Sequence, residues 1–391
     1  MRIAYLALIE LDVENACSVH TREIGEQLAA LGHEVTLILP RPLRARRWAG
    51  VRHLWVRWWG FDRWRQLAFY LQSAWMLVRC HRARPFDALY VREAIRHPFL
   101  PGLARWLGLP LFVEVNGWAL DDFRLIGASA RELAEIERSQ GALLRAAKGI
   151  LVSTVGNAEK VASQYHIPTS RIMVQELGTN TEHFKPGERL AVRRSLGLPP
   201  EGPIVLFAGS FHPHHDVRTL VEAFAGLATH DRRATLLLIG QGAQWEPIGE
   251  RIAAMGLADR VCRVPGAPYE QIASYYQAAD VGVLPLSRAN IRQRNGCIAL
   301  KLWDYMAAGL PVVATDLPDT ASYPLLHDKA VLVPPEDPHA MEKALRDLAE
   351  RGELRERLGR AGRDYVVQFR GWRRAAEDTV RFMNERLRES A

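Results

Sequence analysis

The chain has 391 residues, of which 48% are hydrophobic and 24% charged, with a net charge of +7; this composition excludes disordered, collagen-like and disulfide-scaffold proteins. The length exceeds what one ordinary core can bury and predicts two domains of about 150–200 residues each. The four cysteines are far apart and form no C-x-x-C pair, so they indicate a reducing cytoplasm rather than a disulfide framework or a zinc site.

The first elements are a strand, a helix and a second strand. An apolar run at 3–8 is followed by a helical pattern that ends at Gly32 and by a second apolar run at 35–39. This βαβ order predicts a parallel sheet. Acidic residues soon follow the first apolar run, so we interpret it as a buried strand and not as a signal peptide.

Residues 41–84 form a basic segment that is rich in tryptophan. The segment contains eleven arginines against one acidic residue, and six of the eleven tryptophans of the chain. Arg mixed with Trp is typical of proteins at an anionic membrane interface, and we expect such contact here rather than nucleic-acid binding. A solvated or domain-packing surface is the alternative. The expected membrane residues are Arg44, Arg46, Arg47, Arg52, Trp55, Trp58 and Trp59.

The uncharged stretch at 66–78 lies inside this segment. Its 13 residues are too few to cross a bilayer, which requires about 20. Leu67, Leu71 and Trp75 recur at helical spacing, so part of the segment also suits a stripe facing the core.

The alternation of strands and helices continues along the chain and restarts once. Pro- and Gly-rich sequence between 184 and 202 marks a domain boundary. We therefore predict an α/β protein with two Rossmann-like, doubly wound domains facing a cleft, at 1–185 and 200–370, and a C-terminal helix at 371–391 that can pack back on the first domain. Further strands are predicted at 88–91, 111–115, 150–153, 172–175, 204–208, 235–239, 261–264, 281–284, 312–314 and 331–333.

The most informative stretch is 295–316. Gly296 is predicted to open a helix whose free N–H groups can hold a diphosphate, Lys301 adds a charge one turn in, and Asp304 lies one turn further on the same side. Taken alone, these residues suit either a nucleotide-diphosphate site or an ordinary helix start with a surface Lys and a surface Asp.

The sequence K-L-W-D-Y-M-A-A-G-L-P-V-V within this stretch resembles the donor-binding signature of glycosyltransferase family 4, retaining enzymes of the GT-B fold, in the branch K-L-x-E-Y-M-A-A-G-x-P-V-V. The resemblance implies that Asp304 stands for the Glu that binds the donor ribose, on a stem one methylene shorter. The family's earlier Glu, which contacts the transferred sugar in many relatives, falls at Gly296. Cys297 and Ile298, next to Gly296, complete the candidate donor residues here.

Residues 206–224 resemble the family segment G-x-L-x-x-x-K-G-x-x-x-L-x-x-A-F. The resemblance implies that Gly209 lets the backbone approach the donor closely. Ser210 and His215 stand where the family usually has the basic residues that neutralise the donor diphosphate. His215 is interpreted as a phosphate contact or as part of a plain polar loop; the three His of this loop also suggest a metal, but no acidic partner supports one. The missing charge can come from Arg292, Arg294 or Lys301.

Two further loops follow predicted strands of the second domain. Gly240 and Gln241 allow the backbone to approach a ligand, although a simple turn explains them equally well. Val264 and Pro265 resemble the family position that lines the nucleobase. Asp280 begins the next strand, and we expect a structural role for it.

The first domain contributes candidates for the acceptor side. Residues 15–24 resemble the loop and helix that approach the donor diphosphate and the acceptor in relatives, without their usual Gly pair. Asn116 aligns with a His beside the reacting sugar in many relatives, and an amide can orient a substrate but cannot act as a base. The acceptor candidates are Asn15, His20, Arg92 and Asn116, and the candidate catalytic residues are Asn116 and His215.

The resemblance implies transfer of a sugar from a nucleotide-diphosphate sugar with retention, and we expect neither metal nor cofactor, since no D-x-D triplet occurs. Together with the basic segment, it predicts a saccharide or lipid-linked acceptor and a peripheral location on the cytoplasmic face of the inner membrane. The alternatives are a sugar-nucleotide epimerase on the same fold and a non-catalytic binding or scaffold subunit.

Overall fold

The computed structural model describes residues 1–9, 11–12, 16–43, 47–57, 63–92, 95–97, 99–125, 127–175, 177–288, 300–317 and 326–389. The chain divides into two compact units. Unit 1 comprises Met1–Leu177 with Trp372–Ala391, and unit 2 comprises Gly178–Gly371. Each unit has one parallel sheet, which confirms the predicted α/β class with two doubly wound sheets.

The sheet of unit 1 has the order β3-β2-β1-β4-β5-β6-β7, and every pairing is parallel. Its strands are β1 (Arg2–Leu6), β2 (Glu34–Pro40), β3 (Arg52–Val56), β4 (Ala88–Arg92), β5 (Leu111–Val115), β6 (Gly149–Val152) and β7 (Ile172–Val174). Its helices are α1 (Ala16–Ala30), α2 (Arg63–Ala83), α3 (Leu100–Trp106), α4 (Ala119–Leu125), α5 (Ala130–Ala146), α6 (Val155–Tyr165) and, at the end of the chain, α14 (Trp372–Arg388).

The sheet of unit 2 has the order β10-β9-β8-β11-β12-β13, again with parallel pairings only. Its strands are β8 (Ile204–Ala208), β9 (Thr235–Ile239), β10 (Val261–Val264), β11 (Val281–Leu284), β12 (Val312–Thr315) and β13 (Ala330–Val333). Its helices are α7 (Arg189–Ser195), α8 (Val217–His230), α9 (Trp245–Ala254), α10 (Tyr269–Ala278), α11 (Leu300–Ala307), α12 (Pro338–Glu350) and α13 (Gly352–Phe369).

The chain passes between the units at 177–178 and at 371–372, whereas the sequence suggested a linker at 186–199. Part of that stretch is α7, which is tied to the sheet of unit 2. Arg193 of α7 is buried and pairs with Asp280 at 2.5 Å, and the Asp280 carboxylate also accepts a hydrogen bond from the backbone N–H of Ile204 at 2.7 Å. A buried arginine needs such a partner, so Asp280 has the structural role expected for it.

The last helix, α14, belongs to unit 1. Gln175 beyond β7 donates from its side-chain amide to the backbone carbonyl of Ala375 at 2.6 Å. Trp372, at the first position of α14, is buried and meets the ring of His20 on α1 edge-on, with the ring centroids 5.1 Å apart. The helix therefore covers α1 and the end of β7.

Strand β3 was missed in the sequence because its Arg and Trp residues were assigned to the basic segment. It pairs with β2 at the edge of the sheet, and most of its side chains are only partly buried. Trp55 lies on this strand and stacks on His53, with the ring centroids 4.8 Å apart. A short run of aromatic and β-branched residues after Gly50 was the available signal.

Helix α2 buries a different face from the one suggested by the sequence. Phe69, Tyr70 and Leu77 are buried in the core of unit 1, whereas Leu71 and Trp75 are 53% and 61% exposed. The interpretation of Leu71 and Trp75 as a core stripe is therefore wrong. The helical period was right, but the buried stripe is rotated by about half a turn of the helix.

Candidate functional site

In unit 2, the end of β8 and the helix α11 hold the predicted donor residues Gly209, His215 and Lys301. Tyr305 fixes α11 against the strand, because its buried hydroxyl accepts a hydrogen bond from the backbone N–H of Ala208 at 2.8 Å. Lys301 lies one turn before Tyr305 on the same helix face, so its side chain reaches the backbone that leaves β8.

Lys301 and His215 are in direct contact. The Lys301 Nζ donates to His215 Nε2 at 2.8 Å, and His215 Nδ1 donates to the backbone carbonyl of Ser210 at 2.6 Å. His215 is buried and Lys301 partly buried. The alternative of a surface lysine at this position is therefore wrong.

These contacts decide which of the two side chains has the positive charge. Burial and the nearby Lys301 lower the pKa of His215 to about 2, so the imidazole is neutral at pH 7. Burial lowers the pKa of Lys301 to about 7, with Asp304 opposing the shift. Lys301, and not His215, is thus the group that can neutralise an anion here.

Gly209 makes room for this lysine. A Cβ atom at position 209 would lie 2.4 Å from Lys301 Nζ, and one at Gly240 would lie 1.9 Å from the carbonyl oxygen of Gly209. Gly240 also has a φ of +140°, which side chains with a Cβ rarely adopt. Both glycines are required for the close approach of the loops after β8 and β9.

Asp304 lies one turn beyond Lys301 on α11. Its carboxylate accepts a hydrogen bond from the hydroxyl of Thr179, which is buried at the start of unit 2. The backbone N–H of Thr179 in turn donates to the carbonyl of Arg370 at 2.8 Å. Asp304 is partly buried and oriented, so the alternative of a plain surface carboxylate is wrong as well.

The other predicted donor residues divide into two groups. Gln241 donates from its side-chain amide to the carbonyl of Pro265 at 2.7 Å, which joins the loops after β9 and β10; Val264 is the last residue of β10. Gly296, Cys297 and Ile298, like Arg292 and Arg294, lie outside the described residues, so the predicted helix start at Gly296 stays a prediction.

The His-rich loop at 212–215 does not form a metal site in the part of the chain that the structure describes. The rings of His212 and His214 stack with centroids 5.8 Å apart, and no group of three His, Cys, Asp or Glu side chains there could hold a metal ion. Burial of His215 against Phe207 and Lys301 explains its place in the loop better.

In unit 1, three of the predicted acceptor residues meet at a buried carboxylate that the sequence analysis overlooked. Glu114 Oε1 lies 2.8 Å from an Arg92 nitrogen and 2.7 Å from His20 Nε2, and it also accepts a hydrogen bond from the Asn116 amide. Glu114 is 1% exposed. The fourth acceptor candidate, Asn15, is outside the described residues.

Two tyrosines contact the other carboxylate oxygen. Tyr5 and Tyr90 donate to Glu114 Oε2 at 3.2 and 2.5 Å, and their rings stack with centroids 4.6 Å apart. They come from β1 and β4, where they are register partners, while Arg92 of β4 is the register partner of Glu114 in β5. The parallel register thus assembles the cluster from three adjacent strands.

The Glu114 carboxylate is ionised. Burial by itself raises the pKa of Glu114, but His20 and Arg92 oppose burial and hold the pKa well below its usual range. Burial also opposes the charge of Arg92, and Glu114 more than offsets this effect, so the pKa of Arg92 lies above its usual value. The cluster is a buried ion pair with additional hydrogen-bond donors.

Of the predicted membrane residues, Arg47 and Arg52 are exposed and Trp55 is partly buried, while Arg44, Arg46, Trp58 and Trp59 lie outside the described residues. None of the described helices combines the length and the apolar character that a bilayer crossing requires. Among the tryptophans that the structure describes, Trp64, Trp75 and Trp106 are the most exposed.

Two family models match the chain. The model "Glycosyl transferase 4-like domain" matches residues 15–178, and "Glycosyl transferases group 1" matches residues 188–365. A curated relative, the D-inositol 3-phosphate glycosyltransferase of Streptomyces avermitilis, is 29% identical over 321 residues, which are 77% of this chain. The chain spans 65% of that relative's length.

Solved structures share the fold over nearly the whole chain. Sucrose-phosphate synthase from Thermosynechococcus elongatus superposes with a TM-score of 0.74 at 20% identity, covering 100% of both chains. The Anabaena protein Alr3699/HepE in complex with UDP-glucose superposes with a TM-score of 0.73 at 13% identity, covering 98% of this chain and 99% of its own. Matched by one family model in each half, the chain belongs to the group 1 glycosyltransferases and has their GT-B fold of two Rossmann-like domains.

Proposed function

We propose that this chain transfers a sugar, with retention, from a nucleotide-diphosphate sugar to an acceptor, and that unit 2 binds the donor. The main observation is the Lys301 ammonium, held between Gly209 and His215 at the carboxyl end of β8. Ligands of open parallel sheets bind at this edge. The Anabaena protein binds UDP-glucose, which supports the same class of donor here.

We propose a contact with one part of the donor for each of these groups. Lys301 would contact the diphosphate, whose negative charge raises the pKa of the lysine and keeps it protonated. Asp304 would accept hydrogen bonds from ribose hydroxyls, with Thr179 holding its carboxylate. The loop at Gly240 and Gln241 would lie beside the diphosphate, and Val264 and Pro265 would line the base.

In the proposed reaction, the bond between the anomeric carbon and the diphosphate oxygen breaks and the acceptor oxygen bonds to that carbon on the same face. The proton of the acceptor hydroxyl passes to the departing phosphate oxygen. A neutral His215 does not take that proton in our proposal, because Lys301 and Ser210 already engage both ring nitrogens. Lys301 would stabilise the charge that develops on the leaving group.

The proposal predicts a reaction that survives chelation. A fixed ammonium and backbone dipoles can neutralise a diphosphate without a divalent ion. Release of the nucleoside diphosphate from UDP-glucose, GDP-mannose and ADP-glucose by the purified chain should therefore be unchanged by EDTA. Activity that EDTA abolishes and magnesium or manganese restores would contradict the lysine-based mechanism.

We further propose a lipid-linked acceptor at an anionic membrane surface, and we propose helix α2 as the part of the chain that contacts this surface. Trp64, Leu71 and Trp75 are 74%, 53% and 61% exposed and lie along one face of α2, because they are spaced by seven and four residues. Arg79 and Arg82 continue this face, and α2 contains no acidic residue. We call these five residues the α2 surface.

The aromatic rings and the arginines of the α2 surface are arranged together. The Arg79 guanidinium lies 5.4 Å from the Trp75 ring centroid, and that of Arg82 lies 5.2 Å from the Trp106 ring centroid. Trp106 of α3 is itself 62% exposed. Exposed Trp beside Arg on a helix that contains no acidic residue suits the region where anionic head groups meet acyl chains.

Replacing Arg79 and Arg82 together by Ser should weaken binding to vesicles of phosphatidylglycerol and phosphatidylcholine about thirtyfold at low salt, because each Arg contributes about 1 kcal/mol. Replacing Trp64 and Trp75 by Ser should weaken the salt-resistant part of the binding. Co-sedimentation measures both effects. If the wild-type chain does not sediment with anionic vesicles at low ionic strength, the membrane proposal is wrong.

The matched control is the Ser variant of Arg373 and Arg374. These two arginines are exposed on α14 of the same unit and form ion pairs with Glu377 and Asp378. The control removes the same charge as the Arg79 and Arg82 variant, so equal losses would assign the effect to net charge and not to the α2 surface.

A further inference from the structure

The buried carboxylate of Glu114 is not among the residues proposed above to bind the donor, although three of the acceptor candidates contact it. Arg92, His20 and Asn116 surround Oε1, and Tyr5 and Tyr90 contact Oε2. A charge at 1% exposure has a large desolvation cost that only such contacts can offset. The sheet therefore contains, near the carboxyl ends of β4 and β5, a buried carboxylate whose desolvation is unfavourable.

Glu114 is not suited to exchange protons with a substrate. Both of its oxygens already accept hydrogen bonds or ionic contacts from described residues, and its carboxylate stays ionised because His20 and Arg92 lower its pKa. A general acid or base needs a pKa near the working pH and access to the reacting group. Glu114 meets neither condition.

Its partners differ from it in exposure. Arg92 and Asn116 are partly exposed, whereas Glu114, Tyr5 and Tyr90 are buried. Arg92 is the last residue of β4, and Asn116 directly follows β5. Both therefore stand at the carboxyl edge of the sheet, where ligands of parallel α/β units bind, with Glu114 beneath them.

We propose that Glu114 is a positioning residue of the transfer reaction, which fixes the Arg92 guanidinium and the Asn116 amide in the orientation that a bound substrate requires. This inference rests on the proposed function. One carboxylate oxygen contacts both side chains, so a change at Glu114 moves them together. Arg92 also has a side-chain hydrogen bond with Cys17, and we propose that its remaining N–H donors bind the oxygens of an acceptor saccharide or phosphate.

A purely structural ion pair would have different consequences. In that case, loss of Glu114 would lower the stability of unit 1 and leave the turnover of the folded protein unchanged. A positioning role predicts a lower kcat with an unchanged KM for the donor, because unit 2 provides the donor site. It also predicts that the effects of Glu114 and Arg92 are not additive.

The experiment measures release of the nucleoside diphosphate from UDP-glucose, GDP-mannose and ADP-glucose, with water or added saccharide as the acceptor. Glu114→Gln, which removes the charge, should lower kcat about tenfold to hundredfold with donor KM unchanged. Glu114→Asp, which keeps the charge but withdraws it by one methylene, should also lower kcat. In an Arg92→Met background, Glu114 would act through Asn116 alone, so Glu114→Gln should lower kcat by a smaller factor than it does in the wild-type background.

Glu34→Gln is the matched control, since Glu34 is a carboxylate of unit 1 that pairs with Arg2 and with Arg84, at 2.8 Å each, at the amino-terminal end of β2; its kcat should stay at the wild-type value. Full kcat in Glu114→Asp, additive effects with Arg92→Met, or failure of both Glu114 variants to fold would each overturn the inference and assign Glu114 to stability. A wild-type chain that turns over none of the three donors would instead overturn the proposed function, and the inference with it.

Discussion

Replacing Lys301 by Gln is expected to lower kcat/KM for the nucleotide sugar about a hundredfold to a thousandfold, the usual effect of removing one group that stabilises a developing oxyanion. In the described part of unit 2, Lys301 is the cation that contacts the loop after β8. Glutamine has a side chain of similar length beside Gly209, so a decrease in kcat/KM would result from loss of the positive charge. Steady-state kinetics on the folded variant measures it.

The pKa of Lys301 gives this prediction a pH dependence with a definite sign. In the free protein, burial lowers that pKa to about 7, and the diphosphate raises it in the complex. Below pH 7 the lysine is charged in both states, so affinity is constant. Above pH 7 binding takes up a proton, and affinity falls by up to about tenfold per pH unit.

Calorimetry from about pH 6 to about pH 8.5 tests this, because the diphosphate of a nucleotide sugar does not titrate there while a lysine of lowered pKa does. The groups that face Lys301 are Asp304 and His215, and His215 stays neutral over this range. Lys301→Gln should bind weakly with no slope. An equal slope in wild type and variant would show that another group causes the pH dependence.

Replacing Asp304 by Ala is expected to weaken nucleotide-sugar binding about tenfold to hundredfold, since hydrogen bonds to a charged group contribute about 1.5–3 kcal/mol. The carboxylate is already oriented by the Thr179 hydroxyl, so little is lost in ordering it on binding. Unchanged affinity in calorimetry would remove the ribose assignment. Asp259→Ala, at an exposed carboxylate of the same unit, is the control and should bind as wild type does.

Most of the fold could be predicted from the sequence because buried parallel strands are short, continuous apolar runs. The strands of unit 2 were placed within a residue or two of their observed limits. Strand β3 was not predicted because it is an edge strand that contains Arg52, His53 and Trp55, and this composition suggested a surface segment instead. Helix α2 showed the right period but the wrong buried face, because Trp and Leu are also found on an exposed surface.

Only part of the site could be predicted from the sequence, for a related reason. Lys301 and Asp304 could be named because they share one helix turn. The contact of Lys301 with His215, 86 residues away, depends on how α11 packs against β8. Glu114 looked like one more residue of a buried strand, and only the register of β4 against β5 shows that it meets Arg92.

A thermal-shift measurement with nucleotide sugars tests the central claim, donor binding by Lys301 and Asp304, most directly. A ligand that binds the folded chain raises its Tm. At a ligand concentration of a hundred times the Kd, the free energy of unfolding increases by about 2.7 kcal/mol. We expect at least one of UDP-glucose, GDP-mannose and ADP-glucose to raise the Tm of the wild-type chain, and the same donor to leave the Tm of a folded Lys301→Gln/Asp304→Ala variant unchanged. An equal shift in both proteins, or no shift with any donor in the wild-type chain, would contradict the account.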